Sequence, residues 1–560
     1  MRRVCHFAWL LIFGATVCSA QSFRGFWADA FSVGFKSNSE VTSMVARAAA
    51  GRYNAIVVEV LAFHDNVGGG HGAYWNSAIV PRATDVSPPN FDSLAAVISQ
   101  AHAAGLEVHA WIVPYRVSST WPPSGNALLA AHPEWLMVPQ ANLGGGPARV
   151  GSYYTLDPGS PDAQDYLTSI VRELITNYAI DGINLDYIRY VQTDAGYPAV
   201  STYAGSTLER FRRRTGFSGV PAPTGNTAWN DFRRRTIDEY VRRLRAEIAS
   251  IPNVRQPLRF SADLICFGNA PANFTSSDAY LLHQNWQMWM QNGWLDLGIP
   301  MNYKREHNAT EAQWYRNWVN ASINWRYQRH VASGQANYLN TKANSVAQMG
   351  YALTQGSNGC VNFSYDATAD EDRNGTPEAD WNWYSYVGAN LFTSPTPTPP
   401  MPWRNPATAT EGTLWGRVTN GETGEPVEFA TVQVGALGTI ETDGNGYYVK
   451  TLIPATAAGT SYSVSATGAG CPTVTHSGVT VVAGLVARSD FVLCPVDPPP
   501  GDMDQDGDVD AGDLASFIFC LQGPGFVYGP GQFCLRGDTD ADSDVDMRDF
   551  RAMQGATAGP

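Results

Sequence analysis

Asp181-Gly-Ile-Asn-Leu-Asp186-Tyr-Ile-Arg189-Tyr190 is a short apolar run closed by a carboxylate, an aromatic ring and a guanidinium. That is the pattern of a buried parallel strand whose C-terminal end carries chemistry. Further apolar runs lie on either side, at Arg24–Ala28, Ala55–Val60, Leu106–Ile112, Leu258–Leu264, Leu295–Met301, Val331–Ala336 and Cys360–Phe363. Helical patterning fills gaps between them, as at Val41–Ala50, Phe91–Ala104, Pro161–Asn177 and Asp231–Ala249. Strands alternating with helices across residues 21–393 predict a (β/α)8 barrel of the TIM type. A doubly wound sheet is the alternative, but no Gly-rich phosphate fingerprint follows any run.

The whole chain has 560 residues, too many for one core, and its 44% apolar content excludes a disordered protein. The net charge of −14 argues against general nucleic-acid binding. Residues 501–560 hold twelve Asp, no Glu and three Arg, so −9 of that charge sits in one segment. Beyond the N-terminus no apolar run is long enough to cross a membrane. Met1-Arg2-Arg3, the apolar Ala8–Val17 and the small residues Cys18-Ser19-Ala20 predict a signal peptide over 1–20, hence a secreted or cell-surface protein. Pro-rich stretches at 394–410 and 495–501 read as linkers and divide the remainder into 21–393, 411–494 and 502–560. In an exported chain Cys471 with Cys494, and Cys520 with Cys534, are candidate disulfides, while Cys266 and Cys360 read as free buried thiols.

In a parallel barrel function gathers at the C-terminal strand ends. Asp181 and Asp186 are five apart, so they point to opposite faces at opposite ends of their strand. Asp186 is therefore the catalytic candidate and Asp181 a cap at the strand entry. Other strand ends offer His109 and Trp111 with Tyr115 and Arg116 beyond them, then Tyr187 and Arg189, Asp263, Asn302 with Tyr303 and Glu306, and Tyr365 with Asp366. Aromatic faces stack on the apolar faces of sugars, while carboxylates, amides, imidazole and guanidinium bond sugar hydroxyls.

Arg24-Gly-Phe-Trp27, Gly105–Arg116, His132-Pro-Glu-Trp135, Leu156-Asp-Pro-Gly159 and Asp181–Tyr190 together resemble the glycosyl-hydrolase-like family 10, a barrel family distantly similar to the α-amylase clan. The resemblance implies action on a polysaccharide, bacterial cell-wall glycan being the substrate class that the family suggests. It places Asp186 where the clan has its fourth-strand nucleophile, with Asn184 where that clan has an arginine. The glycoside hydrolysis that the resemblance implies needs two carboxyl groups; Asp186 is then the expected nucleophile or base, with Asp263 first and Glu306 second as the acid, and no cofactor is needed for that chemistry. On the second strand Glu59-Val60-Leu61 replaces the Gln-Val-Arg common in the family, and Glu59 joins the expected substrate-binding set.

Residues 411–494 alternate apolar and polar positions between Gly-containing turns and predict a β-sandwich. Gly416-Arg-Val418, Thr423–Val427, Ala430-Thr-Val432 and Thr442–Tyr447 resemble the carboxypeptidase-regulatory-like domain. No catalytic constellation appears there, so a spacer is expected ahead of a glycan-contacting module. In the tail, Asp502, Asp504, Asp506, Asp508, Asp510 and Asp513 occupy positions 1, 3, 5, 7, 9 and 12 of a loop with Gly507 at 6. Asp538, Asp540, Asp542, Asp544, Asp546 and Asp549 repeat it with Ser543 at 6. Hard oxygen ligands at this spacing suit Ca²⁺. Two Ca²⁺ sites are expected, held by Asp502, Asp504, Asp506, Asp508 and Asp513 and by Asp538, Asp540, Asp542, Asp544 and Asp549. The first should be the tighter, because glycine takes the turn conformation freely. The repeats resemble a dockerin, which implies a small helical calcium-loop domain and a cohesin-like partner. Phe517, Ile518, Leu521, Phe533 and Phe550 are its expected small core.

The leading expectation is thus a secreted modular glycoside hydrolase with a Ca²⁺-dependent docking tail. The alternative is a non-catalytic extracellular glycan-binding or assembly protein with a degenerate barrel. A deacetylase or lyase ranks third, since no metal-ligand motif stands out in residues 21–393.

Overall fold

The structure, a computed structural model, describes residues 21–468, 470–494, 501–503, 509–529 and 532–556. The signal-peptide expectation and Asp504, Asp506 and Asp508 lie outside those residues, as does nearly all of the second linker.

The first unit comprises the large domain together with most of the β-rich domain. Its centre is a closed parallel barrel of β1 (Phe23–Ala28), β2 (Ala55–Leu61), β3 (Glu107–Ile112), β4 (Gly182–Leu185), β5 (Arg259–Leu264), β6 (Leu297–Pro300), β7 (His330–Ala336) and β8 (Gly359–Phe363). Neighbours follow sequence order all the way round, and β8 closes against β1 with Trp27 opposite Phe363. Between the strands run α1 (Asn38–Ala50), α2 (Ser93–Ala103), α3 (Pro161–Asn177), α4 (Thr227–Ser250), α5 (Trp286–Gln291), α6 (Ala309–Trp325) and α7 (Lys342–Thr354); α8 (Trp383–Asn390) follows β8. Ser37, Asp92, Ser160, Asn226, Asn308 and Thr341 cap six of them, each side chain accepting a first-turn backbone N–H.

The strands are mostly apolar because both faces are buried, with polar residues concentrated near their two ends. One face packs on the helices; the other fills the barrel with Phe23, Trp27, Ala55, Val57, Trp111, Leu297, Ile299, Ala332 and Val361. Gly182 has no side chain because a Cβ there would lie 2.4 Å from His109 Nδ1. Long loops after β3 and β4 build a separate antiparallel sheet, ordered 116–118, 154–156, 136–139 and 195–198, which sequence periodicity did not bring out.

The expected linker at 394–410 is instead a strap across the N-terminal mouth of the barrel. The Ser394 carbonyl accepts from Arg24 at 2.7 Å, the Thr396 carbonyl from Asn54 at 3.0 Å, and the Pro399 carbonyl from Arg259 at 2.8 Å. Thr398 donates to Glu107, and Trp403 Nε1 donates to Asp296 at 2.7 Å. Each partner lies at the start of a strand. Although burial opposes it, Arg245 and Arg404 hold the Asp296 carboxyl well below the usual carboxylate range.

The β-rich domain has one sheet built on 447–454, 411–420 and 486–488, and a second ordered 439–441, 431–434, 460–468 and 471–481. It is seated on α4 and on the helix Thr207–Thr215 that precedes it, rather than held away as a spacer. Glu428 pairs with Arg210 and Arg213, Glu441 pairs with Arg214 and Arg235, and Trp415 and Val449 close over Ala246.

In the second unit, helices 511–520 and 547–556 pack Met503, Phe517, Cys520, Cys534, Val545 and Met553 into a small core, with Leu521 and Phe550 against it. Ile518 and Phe533, expected in that core, are 60% and 44% exposed; Ile518 lies on the outer face of helix 511–520, and Phe533 opens the short turn 533–536, of which Cys534 is the buried residue. Cys520–Cys534 and Cys471–Cys494 are disulfide-bonded, with Cα atoms 5.2 and 5.1 Å apart. Cys266 and Cys360 are free and buried.

Candidate active site

Strand register decides which side chains share the barrel mouth. Glu59 on β2 lies opposite Trp111 on β3, Trp111 opposite Asn184 on β4, and Asn184 opposite Ser261 on β5. Paired residues of a parallel sheet point to one face, and residues two apart share it. Glu59, Trp111 and Asn184 therefore form one inward layer, and Asp186 and Asp263, one step further along their strands, rise above it. A cavity of about 730 Å³ opens over these residues at the C-terminal end of the strands, with Trp27, Asp29, Arg116, Tyr187, Arg189, Tyr303, Lys304 and Asp366 also in its walls.

Asp186 is 7% exposed and accepts the Tyr187 N–H at 2.6 Å. Burial raises its pKa, while Arg189, that N–H and Arg116 oppose the rise. Tyr187 has φ of +51°, a left-handed conformation that a tyrosine adopts at some cost and that functional sites retain. The Arg116 and Arg189 guanidinium groups lie 4.3 and 4.4 Å from its ring centre. Asp263 Oδ2 accepts from Asn184 at 2.9 Å, and Ser261 in turn holds Asn184 at 2.8 Å. Its Oδ1 is buried with no hydrogen-bond partner. Burial and then the neighbouring Asp186 push the Asp263 carboxyl well above the usual range. Glu59 is 3% exposed and accepts the Ala30 N–H at 2.8 Å. Burial pushes it up to about 8, with Asp29 and Asp186 adding to the rise.

Of the sequence candidates, Glu59, Trp111, Arg116, Asp186, Tyr187, Arg189, Asp263, Tyr303 and Asp366 line this cavity. His109, Tyr115, Asn302, Glu306 and Tyr365 do not. His109 points inward one layer too low, edge-on to Phe23 and bonded to Glu107 at 3.0 Å. Glu306 turns away from the mouth to meet Arg316 at 2.6 Å and Gln348 at 3.1 Å, which removes the second choice of acid. Asn302 donates to the Tyr315 carbonyl, and Tyr365 accepts from Arg47 behind the strand layer. Asp181 sits at the strand entry, accepting from the Val108 N–H and pairing with His102 and Arg255. Asp29 and Lys304 are wall residues that the strand-end reading passed over; Asp29 follows β1 by one residue, which is the signal that marks it.

In the tail, Asp538, Asp540 and Asp542 bring carboxylate oxygens together, as do Asp544, Asp546 and Asp549. Asp549 accepts the N–H groups of Thr539 at 2.7 Å and Asp546 at 2.8 Å, and Asp513 takes those of Met503 at 2.6 Å and Asp510 at 2.8 Å. The twelfth position thus closes both loops in the same way. Ser543 has φ of +72°, the conformation expected of position 6.

The glycosyl hydrolase-like 10 family matches residues 22–352, more than half of the chain, and the carboxypeptidase regulatory-like domain matches residues 413–494. Glycosyl hydrolase DigH of Escherichia coli K12 is 26% identical over 244 residues, 41% of this chain and 52% of that protein. Glycosyl hydrolase YngK of Bacillus subtilis 168 is 25% identical over 304 residues, 51% of this chain and 52% of that protein. The chain thus spans about half the length of the curated relatives it matches. Among solved structures, the PgaB (BpsB) glycoside hydrolase domain from Bordetella bronchiseptica aligns with 62% of this chain and 99% of that one, at 14% identity and a TM-score of 0.45. With eight parallel strands in sequence order, a carboxylate-floored mouth and a family match across the barrel, the chain belongs to the glycosyl hydrolase-like 10 family.

Proposed function

We propose that the protein hydrolyses O-glycosidic bonds of a polysaccharide, with Asp186 as nucleophile or base and Asp263 as the acid. One observation carries the assignment: two buried carboxyl groups share a cavity, and guanidinium groups oppose the pKa rise of only one of them. Environments that separate the pKa values of two neighbouring acids assign their roles. Arg116 and Arg189 favour ionised Asp186. Asp263 has no cation to offset its burial and keeps its proton, which is what an acid needs to give to a leaving oxygen. Asn184, held by Ser261, orients that carboxyl. Glu59, largely protonated at neutral pH, donates a hydrogen bond to the substrate in the same layer. Trp27, Trp111 and Tyr303 supply the ring faces against which a sugar packs.

The relatives' names support a glycan as substrate, with bacterial cell-wall glycan first among candidates, and the chain is proposed to act outside the cell. The tail is proposed to hold two Ca²⁺ ions and to dock a cohesin-like partner. The donor set fits a hard cation: every side chain offered is a carboxylate. Bound Ca²⁺ would neutralise the crowded aspartates and stiffen both loops. Product analysis after incubation with peptidoglycan and a polysaccharide panel tests the hydrolase reading. New reducing ends support it; retention of a glycan without cleavage supports a binding protein instead.

A further inference from the structure

β1 and β5 stand on opposite sides of the barrel, four strands apart in either direction around the ring. β1 ends at Ala28 and β5 at Leu264, so Phe31 and Phe267 occupy equivalent places, each the third residue beyond its strand. Both line the catalytic cavity, and they are 53% and 49% exposed. Asp186 and Asp263 point into the barrel and so lie between these two rim positions. A ring half open to water leaves apolar surface uncovered, and two such rings line this one cavity from opposite rims.

Both rings are placed by their surroundings. On the β1 side the Ala30 N–H donates to Glu59 at 2.8 Å, the Ala30 carbonyl accepts from Tyr74 at 3.2 Å, and the Phe31 N–H donates to Asp29 at 3.0 Å. The Phe31 ring lies on the backbone of Gly70, where φ is +82° and a Cβ would come within 2.3 Å of it. It stands perpendicular to the stacked rings of Phe63 and His71, whose centres are 6.2 and 6.4 Å away. His71 is in turn held by Asp65, which also accepts from Ser118. On the β5 side the carbonyls flanking Phe267 are both taken: Cys266 accepts from Lys304 at 2.8 Å and Gly268 from Trp318 at 3.1 Å. Rings carried on backbone fastened in this way need little ordering when a ligand covers them. A sugar suits them, because its C–H faces pack on an aromatic face.

We propose that Phe31 and Phe267 are sugar platforms at the two ends of one binding cleft, so that a glycan lies across the mouth and is cut at an internal bond. This rests on the hydrolase reading and adds to it where along the polymer the cut falls. Sugars on both sides of the scissile bond are held, and the end of the chain need not enter the site.

Phe31→Ala and Phe267→Ala should each lower kcat/KM on a long cleaved glycan roughly three- to tenfold, the worth of one ring contact. Phe31→Leu keeps apolar bulk without a flat face and should lose as much as Phe31→Ala, whereas Phe31→Tyr should recover most of the loss. Melting temperatures should stay near that of the wild type, because both rings are half open. Activity lost together with the fold, and not recovered by Phe31→Tyr, marks a packing role and refutes the platforms. The first products from a long polymer should be fragments of intermediate length. Full kcat/KM in either alanine variant overturns the proposal, as does rescue by Phe31→Leu equal to that by Phe31→Tyr, or release of mono- and disaccharides alone from the start. If the wild type cleaves nothing in the panel, the hydrolase reading fails separately, and calorimetry with the same glycans decides the platforms. A Kd roughly three- to tenfold weaker in both alanine variants supports them; equal values, or no binding by the wild type, refute them.

Discussion

Glu59→Gln is expected to stabilise the protein only at neutral and alkaline pH. The Glu59 carboxyl stands at about 8 in the folded state, against 4.5 in water, mainly because burial disfavours its charge. The sign follows from proton binding. Below 4.5 both folded and unfolded chains carry the proton and nothing is lost. As pH rises from 4.5 to 8 the unfolded chain releases the proton and the folded one keeps it, so stability falls; above 8 the loss is complete. At about 1.4 kcal/mol per pH unit, Glu59 costs the wild type about 4 kcal/mol between about pH 5 and about pH 9. Glutamine keeps the oxygen that accepts the Ala30 N–H and has no proton to lose. Melting curves of the full chain and the variant should therefore nearly coincide at the acid end and separate by several degrees at the alkaline end. Taking the difference between the two proteins cancels every other titrating group they share. Parallel curves across the range would refute the buried, protonated Glu59, as would a variant destabilised most at high pH.

Asp186→Asn should lower kcat by roughly two to four orders of magnitude on a cleaved glycan while the circular dichroism spectrum is retained; near-native turnover would remove its role. In Asp263→Asn the residual activity should lose the alkaline descending limb of the pH profile, because that limb is set by loss of the Asp263 proton; a limb that persists assigns the acid elsewhere. Trp403→Ala should cost about 3 kcal/mol, since Trp403 both donates to buried Asp296 and stacks under Arg329 at 4.9 Å; an unchanged melting temperature would make the strap a passive linker after all. Calorimetry of the full chain should show Ca²⁺ uptake that Asp549→Asn weakens at one site; no uptake at millimolar Ca²⁺ would refute both loops.

Parallel strands buried on both faces are written as continuous apolar runs, so all eight barrel strands were readable to within two residues, as were α3 and, within four residues, α4. The two Asp-rich repeats are equally local, because each loop's geometry is contained in twelve consecutive residues. Asp186 and Asp263 could be read as well, each closing a strand. Other positions depended on partners distant in the chain. Glu306 and His109 looked as eligible as Glu59, and only register and loop path separate them: Glu59 stands in the inward layer directly beneath Asp186 and Asp263, His109 one layer lower, and Glu306 is drawn off by Arg316. The proline- and threonine-rich segment at 394–410 has the composition of a free linker, since its own residues form no helix or strand beyond one short turn. What holds it is the row of polar groups at strand starts, from Arg24 to Asp296, that closing the barrel gathers at one mouth. Sequence by itself thus determines what is repetitive and local here, the strands and the acidic loops. Which carboxyls share a cavity, and which coil becomes a strap, are decided by barrel closure, because only closure brings side chains hundreds of residues apart within hydrogen-bonding distance.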